Sequence, residues 1–217
     1  MYDVTATGEL LIDFTRNGLS EQNNRIYEAN PGGAPCNVLA MLGKLGYKTA
    51  FIGKVGDDEF GKLLNNTISE QKIDAAGLIL DPNAKTTLAF VDNDETGDRS
   101  FSFYRKPGAD MMLREDEVNY ELIDNCRIFH FGSLSMTDEP VRSATYAMID
   151  YAKKKNKIIS FDPNLRPPLW ESEDLAAKQI WYGIEQCDIL KIADNEIEWL
   201  TDTNDYDKGI EIIRERI

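Results

Sequence analysis

Residues 32–61, GGAPCNVLAMLGKLGYKTAFIGKVGDDEFG, constrain the fold of this chain more than any other stretch. Gly32 and Gly33 admit backbone dihedrals and close approaches that a side chain would block, and Pro35 stands at what should be the first position of a helix. Behind them Val38, Met41, Leu42 and Leu45 recur at helical spacing, which predicts a helix with that face buried and Gly46 ending it. The glycine pair thus leads into a helix N-terminus, where free amides can hold a hydroxyl or an anion and Asn37 can add a side-chain amide. A tight turn with no ligand explains a glycine pair equally well. The chain contains neither G-x-x-x-x-G-K-[ST] nor G-x-G-x-x-G, so the stretch is neither a Walker A loop nor a dinucleotide fingerprint.

Apolar and polar segments alternate along most of the 217 residues, which predicts an α/β fold with a largely parallel sheet. Strands are expected at 2–7, 49–53, 127–131, 158–161 and 189–192, and helices at 35–45, 59–71, 138–154 and 175–186. Within the third helix Val141, Ala144, Thr145, Met148, Ile149 and Ala152 follow helical spacing and mark a buried face. Two regions break the alternation. Residues 10–29 and 86–105 read as strands, the second folding back through the turn-rich DNDETGD, and together they can form a small β-sheet flap.

Charge narrows the partners. Lysine and arginine number 24 against 38 acids, a net charge of −14 that repels nucleic acid and anionic lipid. An anionic ligand must then meet locally placed cations, and Arg105, Arg166 and Lys191 are candidates, although surface solvation is the ordinary role of such residues. No apolar run is long enough to suggest a membrane span, and MYDVTATGELL lacks the pattern of a secretory signal. Cys36, Cys126 and Cys187 are odd in number and form no C-x-x-C pair, which fits a reduced, cytoplasmic setting. Cys36 reads as an apolar filler and the lone His130, inside RIFHFG, as a packed strand residue.

Taken together, the motifs resemble the ribokinase-like (PfkB) carbohydrate kinases. A glycine pair, P-x-N-V-A and a later G-x-V-G-x-D-x-x-G read here as Gly32, Gly33, Pro35, Asn37 and Val38, then Gly53, Val55, Gly56, Asp58 and Gly61. GELLIDF at 8–14, DRSFSFYRKPGAD at 98–110, FDPNLRPPLW at 161–170 and DILKIADNEIEWLT at 188–201 resemble the fructokinase branch. The resemblance implies a doubly wound, mostly parallel sheet with helices on both faces, in one α/β domain over 1–217 with the flap inserted as a lid over the sugar. Such a lid often takes part in a homodimer, which would place Phe90, Phe101 and Phe103 near substrate or partner. The family's D-T-x-G-A-G-D-like motif, whose last Asp is the catalytic base, is missing, and the chain stops at Ile217 inside an apparent helix. The expectation is therefore a truncated chain whose base lies beyond Ile217 and which is inactive alone.

In open α/β sheets ligands gather at the carboxyl ends of the strands. Asp13 follows the first strand and is expected to accept hydrogen bonds from sugar hydroxyls, with Gly33 and Asn37 adding amides; a turn aspartate is the alternative. By resemblance Phe103, Arg105 and Arg166 complete the sugar side, while Asn164, Lys191 and Glu196 form the nucleotide side, Glu196 organising Mg2+ through water. An Asp162–Arg166 ion pair and a plain acidic helix start at Asp194, Glu196 and Glu198 are the competing structural explanations. Ala193 replaces the usual Asn of N-x-x-E, which weakens the case for direct phosphate contact there. The resemblance implies transfer of the ATP γ-phosphoryl group to a sugar, fructose first, with Mg2+ and potassium as ions. A sugar acid such as 2-keto-3-deoxygluconate, a nucleoside, or a non-catalytic sugar-binding role are the alternatives; Arg105 would pair with the acid's carboxylate.

Overall fold

A computed structural model describes residues 1–93 and 99–217. Part of the turn expected at DNDETGD, residues 94–98, lies outside the described residues. Ten strands and seven α-helices are described: β1 Tyr2–Thr7, β2 Leu11–Leu19, β3 Arg25–Gly32, α1 Ala34–Lys44, β4 Thr49–Gly56, α2 Glu59–Glu70, β5 Ile73–Asp81, β6 Leu88–Asn93 and β7 Arg99–Tyr104. They continue with α3 Glu121–Asp124, β8 Cys126–Gly132, α4 Val141–Lys154, β9 Ile158–Asp162, α5 Glu173–Gln186, β10 Ile189–Leu190, α6 Asp194–Thr201 and α7 Tyr206–Arg214.

Six strands form a sheet in the order β10-β9-β8-β1-β4-β5, with every neighbouring pair parallel. Successive residues of a strand point to opposite faces, and this decides which helix each meets. On β4, Phe51 joins Leu39, Leu64 and Ile68 of α1 and α2 on one face. Ala50 and Ile52 join Met148 and Ile149 of α4 and Ile180 of α5 on the other. All eight residues of β4 are buried, as a central parallel strand covered on both faces requires. Lys54 is the charged member of that strand, 2% exposed, and it is held by Glu117 at 2.6 Å, Asp81 at 3.3 Å and the Met112 carbonyl at 3.1 Å.

The remaining four strands form a second sheet, β3-β2-β6-β7, in which β2 and β6 are parallel and the other pairs antiparallel. This is the flap expected from residues 10–29 and 86–105.

Three expectations need correction. Residues 73–81, which carry no strand assignment in the sequence reading, form β5 at the sheet edge. The buried face of α1 is Pro35, Cys36 and Leu39; Met41 and Leu45 are 61% and 66% exposed. The helix APCNVLAMLGK is apolar around most of its circumference, so more than one stripe satisfies helical spacing and only packing selects between them. The last sheet strand is Ile189–Leu190, shorter than the expected 189–192, although the Lys191 amide still bonds the Phe161 carbonyl. The face expected for α4, by contrast, is the buried one at all six positions.

Candidate active site

The candidate site lies where the carboxyl ends of β1 and β9 meet the inner face of the flap. Cross-strand register puts Asn30, Asp13, Ala89 and Phe103 in one row on that face. The opposite face carries Phe14, Tyr27, Phe90 and Tyr104, whose rings contact one another, and Phe14 meets Phe60 of α2 edge-on. Phe90 is therefore separated from Phe101 and Phe103, which stack on each other at 5.9 Å. The Arg166 guanidinium lies 5.7 Å from the Phe101 ring centroid and brings the β9 loop over the inner face.

Asp13 is half-buried and rests against Gly32, where a Cβ would sit 2.1 Å from its Oδ2. Burial pushes its carboxyl above the ordinary value, with Arg166 drawing it back. Gly33 caps α1 at φ +122, and a Cβ there would fall 2.3 Å from the Glu9 carbonyl oxygen. Each glycine thus has its own reason: the first leaves room for the Asp13 carboxyl and the second permits the backbone turn.

Glu9 is the member of GELLIDF that sequence reasoning missed. Its buried Oε1 accepts from the Ala34 amide at 2.7 Å, so a carboxyl of the chain itself occupies the start of α1. Pro35 has no amide to offer, so the helix N-terminus has fewer free donors than its position suggests. Burial raises the Glu9 pKa to about 7. Asn37 stands exposed on α1 and lines, with Pro31 and Gly32, a cleft of about 280 Å³ toward the end of α2, apart from the Arg166 side of the site.

Arg105 is nearly buried. Its Nε donates to Asp110 Oδ2 at 2.7 Å, and its two Nη groups donate to Thr137 Oγ1 and the Leu134 carbonyl at 3.0 and 2.9 Å. The guanidinium is thus ion-paired within the chain, although Arg105 still contributes to the wall of a cleft of about 680 Å³ lined by Phe101, Phe103, Met111 and Pro168.

After β9, Asn164 adopts a left-handed conformation at φ +43, which Asn tolerates better than most residues. The loop is fixed from two sides. Ser133 donates its hydroxyl and amide to the Pro163 carbonyl, and Glu196 Oε1 accepts from the Leu165 amide at 2.6 Å. The other oxygen of Glu196 accepts from the Ala193 amide at 2.8 Å, closing the first turn of α6. Glu196 is therefore a buried loop anchor, with both carboxylate oxygens engaged by backbone. Lys191, 63% exposed, pairs with Asp162 Oδ1 at 3.2 Å, and the alternative Asp162–Arg166 ion pair is not found among the described residues. Asn164, Lys191 and Glu196 do converge on the end of β9.

The motif G-x-V-G-x-D-x-x-G has a mechanical explanation. Asp58 caps α2 by accepting from the Gly61 amide at 2.9 Å and also takes the amide and hydroxyl of Thr86 at 3.0 and 2.7 Å, where the chain enters the flap. A Cβ on Gly61 would lie 1.8 Å from the Gly56 carbonyl oxygen and one on Gly56 2.6 Å from the Thr86 amide. The motif is a latch between sheet and flap. Cys36 and His130 match their packed expectation: burial pushes the thiol well up and lowers the imidazole to about 4, with Nδ1 3.0 Å from Ser160 Oγ.

This architecture, a parallel sheet with a β flap closing on acidic, basic and glycine-rich loops, is that of a sugar-kinase scaffold. The chain belongs to the pfkB family of carbohydrate kinases, whose family model matches residues 1–216. It is 45% identical over 206 residues to a probable fructokinase-2 of Arabidopsis thaliana, an alignment that covers 94% of this chain and 63% of that protein. The crystal structure of a Xylella fastidiosa fructokinase with bound ATP superposes with a TM-score of 0.89 at 34% identity, over 100% of this chain and 66% of that one. A Vibrio cholerae O395 fructokinase bound to fructose, ADP and a calcium ion gives a TM-score of 0.90 at 32% identity, over 100% and 68%. The chain spans less than two thirds of the length of the curated relative it matches. No described helix is long and apolar enough to cross a membrane.

Proposed function

We propose that the protein is a fructokinase, transferring the γ-phosphoryl group of ATP to a hydroxyl of fructose. The observation that carries this reading is the Asp13 carboxyl, held half-buried in the space left by Gly32 and facing Arg166 beneath the flap. An aspartate so placed is an acceptor for two sugar hydroxyls, and Gly33 supplies a backbone amide beside it. Phe103, in the same row as Asp13, and Arg105 complete the sugar side; Asn37 joins it only from the α1 edge. Fructose is favoured because a fructokinase of the same fold carries it together with ADP.

Arg166 is suited to the transferring phosphoryl, since its charge lies beside the sugar face and stacks on Phe101. Asn164 and Lys191 stand toward the nucleotide phosphates. Glu196, each of whose carboxylate oxygens accepts one backbone amide, would hold Mg2+ through a water, and the ion would supply positive charge against the phosphates. Potassium is a further ion in this reading. Flap closure over the sugar excludes water as a competing acceptor. We further propose a homodimer through the outer flap face, supported by its aromatic cluster and by Tyr104 and Leu19 at 66% and 51% exposure. A cytoplasmic location is supported by three cysteines that are all free and buried.

Melting curves of the full-length protein with fructose, then with Mg-ATP, test the reading, because a ligand that binds only the folded state raises its stability. Fructose-dependent stabilisation and ADP release are expected. Absence of both in a folded protein overturns it.

A further inference from the structure

Arg105 and Asp110 are 4% and 5% exposed, and both are charged groups beside the cleft that holds Phe101 and Phe103. An arginine at a sugar subsite ordinarily draws an anion, because its planar fork fits a carboxylate. Here Asp110 already occupies Nε at 2.7 Å, and Thr87 Oγ1 donates to the other carboxylate oxygen at 2.5 Å. Gly108 makes the arrangement possible: a Cβ there would fall 1.9 Å from Thr87 Oγ1 and 2.6 Å from Asp110 Oδ1. A carboxylate arriving at Arg105 would meet a neutralised guanidinium and, directly behind it, a negative charge in surroundings too dry to screen the repulsion.

We propose that Asp110 is a positioning residue that sets acceptor specificity: by neutralising Arg105 it makes this subsite take uncharged sugars and reject sugar acids. The inference rests on the sugar-kinase reading above and narrows its substrate class. Discrimination of this kind uses a built-in repulsion rather than an added attraction. Glu9 is a second buried carboxyl within electrostatic reach of both Arg105 and Asp110, and burial has raised it to about 7. Losing Asp110 removes one of the influences that keep Glu9 protonated, so Glu9 can supply part of the missing charge.

The test compares full-length wild type, Asp110→Asn and the double variant Asp110→Asn with Glu9→Gln. Asn can accept from Arg105 Nε and donate to Thr87, so packing is conserved; Asp110→Ser serves if the Asn variant does not fold. Melting shifts and competition kinetics are measured with fructose and with 2-keto-3-deoxygluconate. Wild type should ignore the acid at concentrations where fructose saturates. Asp110→Asn should bind the acid at least roughly tenfold tighter, a conservative figure for relieving a like-charge contact, and the double variant tighter still. The ratio of acid to fructose affinity should rise at least about tenfold, a change of preference that a merely structural loss, which weakens both ligands together, would not produce. Wild type inhibited by the acid near its fructose KM, or a folded double variant with no gain, overturns the proposal. Failure of wild type to bind fructose overturns the sugar-kinase reading instead, and the acid comparison by melting is still readable.

Discussion

Gly32 and Gly33 are adjacent and chemically identical, yet their substitution by alanine should fail in different ways. Gly32→Ala would push a methyl into Asp13 Oδ2, a side-chain atom that can move, so the expected outcome is a folded protein whose fructose kcat/KM falls more than about tenfold. Gly33→Ala meets a backbone carbonyl at 2.3 Å with φ at +122, so its loss should appear first as a lowered melting temperature. Asp13→Asn removes a charged acceptor, and kinetics should show a kcat/KM lower by roughly 10–100-fold. Melting of that variant should be unchanged or raised, because burial already disfavours the carboxylate. Sequence alone singled out Asp13 and Gly33. It missed Glu9 two residues before Leu11, because nothing in GELLIDF reveals which acid turns toward the start of α1.

At the scale of elements, the latch and the buried lysine carry the clearest tests. Asp58→Ala removes the α2 cap and the tie to Thr86 together, so the loss should exceed that of a cap alone, about 1 kcal/mol, and flap amides should exchange faster with solvent. Lys54→Met leaves Asp81 without its cation and Glu117 with only the exposed Arg114 at 3.3 Å; denaturant unfolding should report a loss of about 3 kcal/mol. Neither role was legible in the sequence, where Asp58 is one position in a motif and Lys54 an apparent exception in an apolar strand. The same limit explains the misplaced face of α1. Helical spacing in APCNVLAMLGK fits several stripes, whereas α4, with Lys, Arg, Asp and Ser on its outer side, admits one.

For the molecule as a whole, two buried groups give opposing pH dependences. His130 is lowered from 6.5 to about 4, so the unfolded chain binds the extra proton and stability is lost as pH falls through that window, by about 3 kcal/mol in full. Glu9 is raised from 4.5 to about 7, so the folded chain holds the extra proton and stability is lost as pH rises, by a similar amount. The two nearly cancel between 4.5 and 6.5. His130→Asn should therefore expose a stability that declines with rising pH across that range, and Glu9→Gln one that increases, as denaturant unfolding at several pH values would show. By itself the sequence determined the α/β alternation, the flap segments and the family, and it named the candidate site residues, because periodicity and motif order are local properties of the chain. The tertiary structure alone decided which flap face looks inward, that Arg105 is neutralised by Asp110 and that Glu196 anchors a loop. Those facts depend on strand register and on partners brought together from distant elements, and no spacing along the chain encodes them directly.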